Sequence, residues 1–394
     1  MLFFISLKKA TTITTKQEIT IMKNEINTPK NADIGNNATI RSKTSSSYFF
    51  KNSRIAKMFV IGSLFSMLTV GFANEPENVS LSEKIKKIQI EAEKGNPESM
   101  AILGCNYESG KGVKKDMKKA VELYRQAAEQ GNALGKAFLG SAYERGIVVK
   151  KDEKKAIELY RQAAEQGNTF GKVFLGSAYE RGIVVKKDEK KAIELYRQAA
   201  EQGNAVGQNN YGRCFALGLG VNKDQTKAAY WYLKAAQQDF VIAQMNIANC
   251  YATGAGVKQD FKKSTKWIRK AAENNNASAQ YALGYAYEEG VGVDKNLEKA
   301  VHWYIKAAQQ NNSNAYYRIG TLFADREAFS DAANWWKEAA SRGHIEAMYK
   351  LGICFQFGYG VSKNQNEAIK FYRAAAAKGY KKAEERLKEL NAAK

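Results

Sequence analysis

The chain predicts an all-α fold, an α/α solenoid of about eight helical hairpins, and three observations carry that expectation. An apolar-glycine step recurs as Leu103-Gly104, Leu139-Gly140, Leu175-Gly176, Tyr211-Gly212, Ile247-Ala248, Leu283-Gly284, Ile319-Gly320 and Leu351-Gly352, with a spacing of 36 residues that shortens only at the last step, to 32. Three residues after each step stands an aromatic: Tyr107, Tyr143, Tyr179, Phe215, Tyr251, Tyr287, Phe323 and Phe355. Each unit then carries an amphipathic stripe, plain in the first copy, where Ala120, Leu123, Tyr124, Ala127 and Ala128 fall at i, i+3, i+4, i+7 and i+8. That spacing lines one face of a helix and cannot line one face of a strand.

Taken from the N-terminus, residues 1–50 are rich in Asn, Thr, Ser and Lys and lack helical periodicity, so they read as a disordered or non-native extension. Lys51, Arg54 and Lys57 precede an apolar run, Met58 to Ala73, that ends in Gly71-Phe72-Ala73 ahead of Asn74. Basic residues, a run too short for a membrane span of about 20 residues, and small residues at its end make residues 51–73 a signal peptide cleaved after Ala73. An uncleaved, membrane-anchoring signal is the alternative. The upstream stretch is long for a signal n-region, which makes Met22 a second candidate start. Residues 81–96 read as a lone capping helix, residues 97–379 as the repeats, and residues 380–394 as a charged C-terminal cap with a narrow Ala383, Leu387, Leu390 stripe.

Within a repeat, a glycine turn joins the two helices: Gly110-Lys111-Gly112-Val113 and its counterparts at Gly218, Gly254, Gly290 and Gly358. Glycine closes the first helix because it accepts positive φ without a Cβ clash. Asp116, Asp152, Asp188, Asp224, Asp260, Asn296 and Asn364 are placed to cap the second helix. The Gly-Asn pairs at 131/132, 167/168 and 203/204 read as its closure. Copy seven lacks the turn, so its helices should join tightly between Asp325 and Phe329. Val148 and Val184 stand where the second glycine belongs, which suggests altered loops. Residues 135–168 and 171–204 differ only at Ala137 against Val173, a sign of recent duplication.

The pattern resembles the Sel-one-like repeat family, a branch of the tetratricopeptide-like helical repeats. The copy running through Ala279, Leu283-Gly284, Tyr287, Gly290, Gly292-Val293, Ala300, Trp303-Tyr304 and Ala307-Ala308 carries the signature almost complete. The resemblance implies a right-handed superhelix whose hairpins bury their apolar faces against their neighbours. It further implies an inner face lined by first helices, with the residues three before and one after the anchor glycine pointing into a groove. Those residues are Asn209, Arg213, Met245, Asn249, Tyr281, Tyr285, Tyr317 and Thr321, a mixture suited to an extended peptide. Copies one to three offer Ala101, Cys105, Ala137, Ser141, Val173 and Ser177 instead, a small-residue wall expected to be a spacer or groove floor. The tryptophans Trp231, Trp267, Trp303, Trp335 and Trp336 are expected in the core.

Catalytic chemistry finds little support. The two histidines, His302 and His344, lie in different repeats without metal-ligand spacing, so no metal or cofactor is expected. Some family relatives are described as β-lactamase-like. Here, however, the only Ser-x-x-Lys runs from Ser6 to Lys9, and Lys-Thr-Gly is absent. The recurring Glu108, Glu144, Glu180 and Glu288 read as a solvated or capping face. Cys105, Cys214, Cys250 and Cys354 are expected as free buried thiols, because stacked helices lie about 8–10 Å apart, beyond disulfide reach. The net charge is +21, and removing residues 1–73 leaves +14. The lysines cluster at turns among Asp and Glu, as a solvated rim does, and nucleic acid and small-molecule substrates are not expected. The sequence thus reads as a non-enzymatic, periplasmic or secreted bacterial scaffold for a protein or peptide, meeting the membrane only during export. A host-directed effector and an envelope accessory protein are the alternatives.

Overall fold

The computed structural model describes residues 80–392, and the signal-peptide and extension readings lie outside them. Eighteen helices follow one another in the described residues, without a strand. Helix α1 (Leu81–Glu93) precedes eight hairpins. These are α2 (Pro97–Ser109) with α3 (Met117–Glu129), α4 (Ala133–Arg145) with α5 (Glu153–Glu165), α6 (Thr169–Arg181) with α7 (Glu189–Glu201), and α8 (Ala205–Leu217) with α9 (Gln225–Gln237). Then come α10 (Val241–Thr253) with α11 (Phe261–Glu273), α12 (Ala277–Glu289) with α13 (Leu297–Gln309), α14 (Ser313–Ala324) with α15 (Phe329–Ser341), and α16 (Ile345–Phe357) with α17 (Gln365–Ala376). Helix α18 (Lys381–Ala392) packs on α17. Each helix packs chiefly on its sequence neighbours, which makes a solenoid.

The anchor glycine has a mechanical reason. A Cβ on Gly104 would stand 2.7 Å from the Tyr124 ring, and the same collision recurs at Gly140 with Tyr160, Gly284 with Tyr304, and Gly352 with Tyr372. The missing side chain lets a fully buried tyrosine of the second helix lie flat against the first. In repeat seven the four-residue deletion brings Trp336 to that slot, against Gly320. Repeat five has Ala248 as its anchor, with the smaller Ile268 in the tyrosine's slot.

The turns close as their chemistry demands. Gly110 ends α2 at φ 76°, and the Asp116 carboxylate accepts from the backbone N–H groups of Lys118 and Lys119. The Gly-Asn pairs divide their labour: Gly131 leaves α3 at φ 82°, while Asn132 caps the next helix by accepting from Gly135 N. The loops of repeats two and three are not remodelled. Val148 and Val184 adopt the glycine conformation, at φ 65° and 61° beside 70° for Gly112. In repeat seven the tight junction runs through Glu327, also at positive φ.

Candidate functional site

Neighbouring first helices α2, α4, α6 and α8 pack on one another, whereas the second helices between them scarcely meet. In repeats one to four the first-helix side is therefore the inner side of the curve, and the first helices of repeats five to eight carry the same register onward. Along it the repeats fall into two groups. In repeats one to three, Ala101, Cys105, Ala137, Ser141 and Val173 are buried. Five of the six small residues of that wall are thus packed between first helices, and Ser177 is half-buried. From repeat five onward the same positions open: Met245, Asn249, Tyr281, Tyr285, Tyr317 and Thr321 are all half-buried.

Repeat four marks the transition. Asn209 is buried, and its amide oxygen accepts from Asn246 Nδ2 at 2.8 Å. Arg213 donates Nη1 to Glu180 Oε1 at 2.8 Å and Nη2 to Oε2 at 2.5 Å. Neither side chain is free to hold a ligand, so the polar end of the expected site is spent on structure.

That ion pair belongs to a ladder. Glu108, Glu144, Glu180 and Glu288 accept from the hydroxyls of Tyr124, Tyr160, Tyr196 and Tyr304 at 2.6–2.9 Å. Arg145, Arg181, Arg213 and Arg318, each from the following repeat, bind the same four carboxylates. The glutamates are therefore not a solvated face, since burial would be costly for a carboxylate without such partners. Burial raises the Tyr196 hydroxyl well above its ordinary pKa, and the adjacent Glu180 charge adds to that shift. Burial also raises Glu180, but the hydrogen bond and charge of Arg213 outweigh it and hold the carboxyl below its ordinary value.

The open stripe of repeats six to eight is aromatic. Tyr281 lies 5.5 Å from the Tyr304 ring, and Tyr317 stacks on His344 at 4.4 Å. Tyr349 lies against both Tyr372 and Tyr380. Burial raises the Tyr281 hydroxyl to about 12, and Tyr285 and Tyr317 are near enough to add to it. Sequence reasoning missed Tyr349, although its place three residues before Gly352 marks it.

The tryptophans depart from expectation. Only Trp336 is in the core; Trp231, Trp267, Trp303 and Trp335 are half-buried, and the first three carry Lys234, Lys270 and Lys306 over their rings. The tyrosine that follows Trp231 or Trp303 fills the core instead. All four cysteines are free and buried, and burial pushes the Cys214 thiol up to about 12. His344 caps α16 by accepting from Ala347 N, and His302 is exposed. Among the described residues no His, Cys, Asp and Glu group is arranged to hold a metal, and no helix is long and apolar enough to cross a membrane.

The Sel1 repeat model matches eight times, at 97–132, 133–168, 171–204, 205–240, 241–276, 277–312, 314–344 and 345–380. The chain belongs to the Sel1 repeat family. A Sel1 repeat protein from Oxalobacter formigenes is 27% identical, with a TM-score of 0.56 over 83% of this chain and 93% of its own. The protective antigen c5321 of uropathogenic Escherichia coli, described as displaying an SLR fold, is 29% identical over 88% of this chain and 82% of its own, with a TM-score of 0.39. Yeast Tom70 is 15% identical over 85% of this chain and 72% of its own, with a TM-score of 0.40. No curated protein matches the chain. Solenoids of Sel1 repeats typically serve as protein-interaction scaffolds and are generally non-catalytic.

Proposed function

We propose that this Sel1 repeat solenoid is an exported scaffold that binds a protein segment in extended form along the inner face of repeats five to eight. The observation that carries the reading is the run Tyr281, Tyr285 and Tyr317, half-exposed on successive first helices where all but Ser177 of the equivalent positions in repeats one to three are buried. Tyrosine offers a large contact area and a polar tip at low entropic cost, and Asn249 and Met245 extend the stripe with an amide and an adaptable apolar side chain. Asn209 and Arg213 drop out of the binding set because the fold uses them. The absence of a plausible nucleophile-base pair in the sequence supports a binding role over a hydrolase.

Export rests on the basic-then-apolar segment 51–73, with cleavage after Ala73 into the periplasm or medium. Two measurements test the whole reading. A photo-crosslinking amino acid at Tyr285 should trap a partner in cells making the full chain, whereas one at the exposed Tyr230 on a second helix should not. Mass spectrometry of the mature protein should find Asn74 first. Equal crosslinking at both positions would refute the groove, and an intact N-terminus in the cytosol would refute export.

A further inference from the structure

Resting on the groove reading, we propose that the inner face of repeats six to eight is built for a cationic peptide segment, one that presents arginine or lysine side chains to the tyrosines. The charges around the stripe carry the argument. Arg318 lies 5.9 Å from the Tyr285 ring, but its guanidinium is held by Glu288 and stands 3.5 Å from Glu289. Lys350 turns to the Trp336 ring of the preceding hairpin. Two carboxylates near the stripe have no lysine or arginine ion-pair partner among the described residues.

Asp325 is exposed at the end of α14 and makes no ion pair with any of the described residues. Glu346 has a half-exposed side chain, and among the described residues its one ion-pair contact is His344, 3.5 Å away, while Lys350, one turn on in the same helix, lies over the Trp336 ring. Burial holds His344 below its ordinary pKa, although the Glu346 charge pulls the other way, so His344 offers Glu346 less positive charge than a free imidazole would. Both carboxylates lie close enough to Tyr317 to raise its hydroxyl's pKa, although burial is the larger cause and the Thr321 hydrogen bond and the Arg318 charge oppose them. Glu346 and Tyr317 act in the same way on Tyr380.

The result is a patch of tyrosine rings bordered by two carboxylates that form no ion pair with a lysine or arginine among the described residues, on a chain whose total is +21. The protein already uses the pairing that such a patch offers, since Lys155 sits 4.4 Å from the Tyr143 ring in repeat two and Arg342 4.3 Å from the Tyr316 ring in repeat seven. A cation over a tyrosine face gains about 0.5–2 kcal/mol, and a carboxylate beside it adds a charge-assisted hydrogen bond. An acidic segment would meet Asp325 and Glu346 directly, and that repulsion supplies the discrimination.

The test uses the full chain and three fluorescein-labelled decapeptides of alternating Arg and Leu, alternating citrulline and Leu, and alternating Glu and Leu, titrated by anisotropy at 0.15 M salt. Citrulline keeps the shape of arginine and removes its charge. The expected result is binding of the Arg peptide about ten-fold tighter than its citrulline counterpart, the equivalent of about 1.4 kcal/mol. The double variant Asp325→Asn, Glu346→Gln should erase that difference while leaving citrulline binding unchanged. Equal binding of Arg and citrulline peptides, or tightest binding of the Glu peptide, with either bound peptide lost on Tyr285→Ala, would overturn the cationic preference and leave the groove standing. Arg-peptide binding that survives both Tyr285→Ala and the charge variant would overturn the groove as well.

Discussion

Arg213 in the first helix of repeat four grips both carboxylate oxygens of Glu180 in the first helix of repeat three. The pair joins two repeats and also receives the Tyr196 hydroxyl. It explains why an arginine at a groove position contributes no free charge to the groove.

Arg213→Ala should therefore weaken the fold rather than the binding. Breaking a buried pair costs about 3–5 kcal/mol, and because Arg213 is partly exposed, solvent screening reduces the expectation to about 2 kcal/mol. Arg213→Lys should recover only part of the loss, since an ammonium cannot make two parallel bonds to one carboxylate. Urea unfolding of the three proteins checks both statements.

The same pair sets a pH response. The folded-state pKa of Glu180 is depressed below its ordinary 4.5, so the stabilisation is fully present above that value. It is lost as the pH falls below 4.5 toward the depressed folded value. Thermal melts between pH 6 and pH 3 should show a decline that is shallower in Arg213→Ala.

Val148 and Val184 hold a left-handed conformation that a β-branched residue adopts only under strain. Such strain costs about 1–3 kcal/mol, and glycine returns part of the gain through a freer unfolded chain. Val148→Gly should raise stability by about 1 kcal/mol, measured by the same urea titration, and Val184→Gly should do the same.

At the anchor, Gly284→Ala should lower stability by about 1–3 kcal/mol through overpacking against the Tyr304 ring, which leaves no room for a Cβ. Ala248→Gly in repeat five should cost less, because its slot faces Ile268. Comparing their unfolding midpoints separates a ring-contact requirement from a general helix preference.

The hairpins, their caps and their glycine turns were legible in the sequence because each depends on local chemistry repeated eight times: Asp116 caps α3 for reasons visible within four residues. The interior of the inner face was less legible. Glu180 and Arg213 are 33 residues apart, and neither shows its partner until the repeats stack. Burial of Ala101, Ala137 and Val173 depends on how closely successive first helices approach, a property of curvature rather than of any one repeat. The tryptophans misled for a related reason: the helical period places Trp303 beside the core stripe, and the small turn between it and Tyr304 decides which ring is buried. Tyr281, Tyr285 and Tyr317 share the register to the anchor glycine that the family resemblance points to, and all three are half-exposed.

The most direct test of the account is the affinity of a partner captured through Tyr285 for the double variant Tyr285→Ala, Tyr317→Ala, read alongside its melting temperature. Removal of two aromatic contacts predicts at least ~100-fold weaker binding, at roughly 2 kcal/mol for each hot-spot ring, with little change in melting temperature. Unchanged affinity in a fully folded variant would contradict the claim that repeats six and seven hold the ligand.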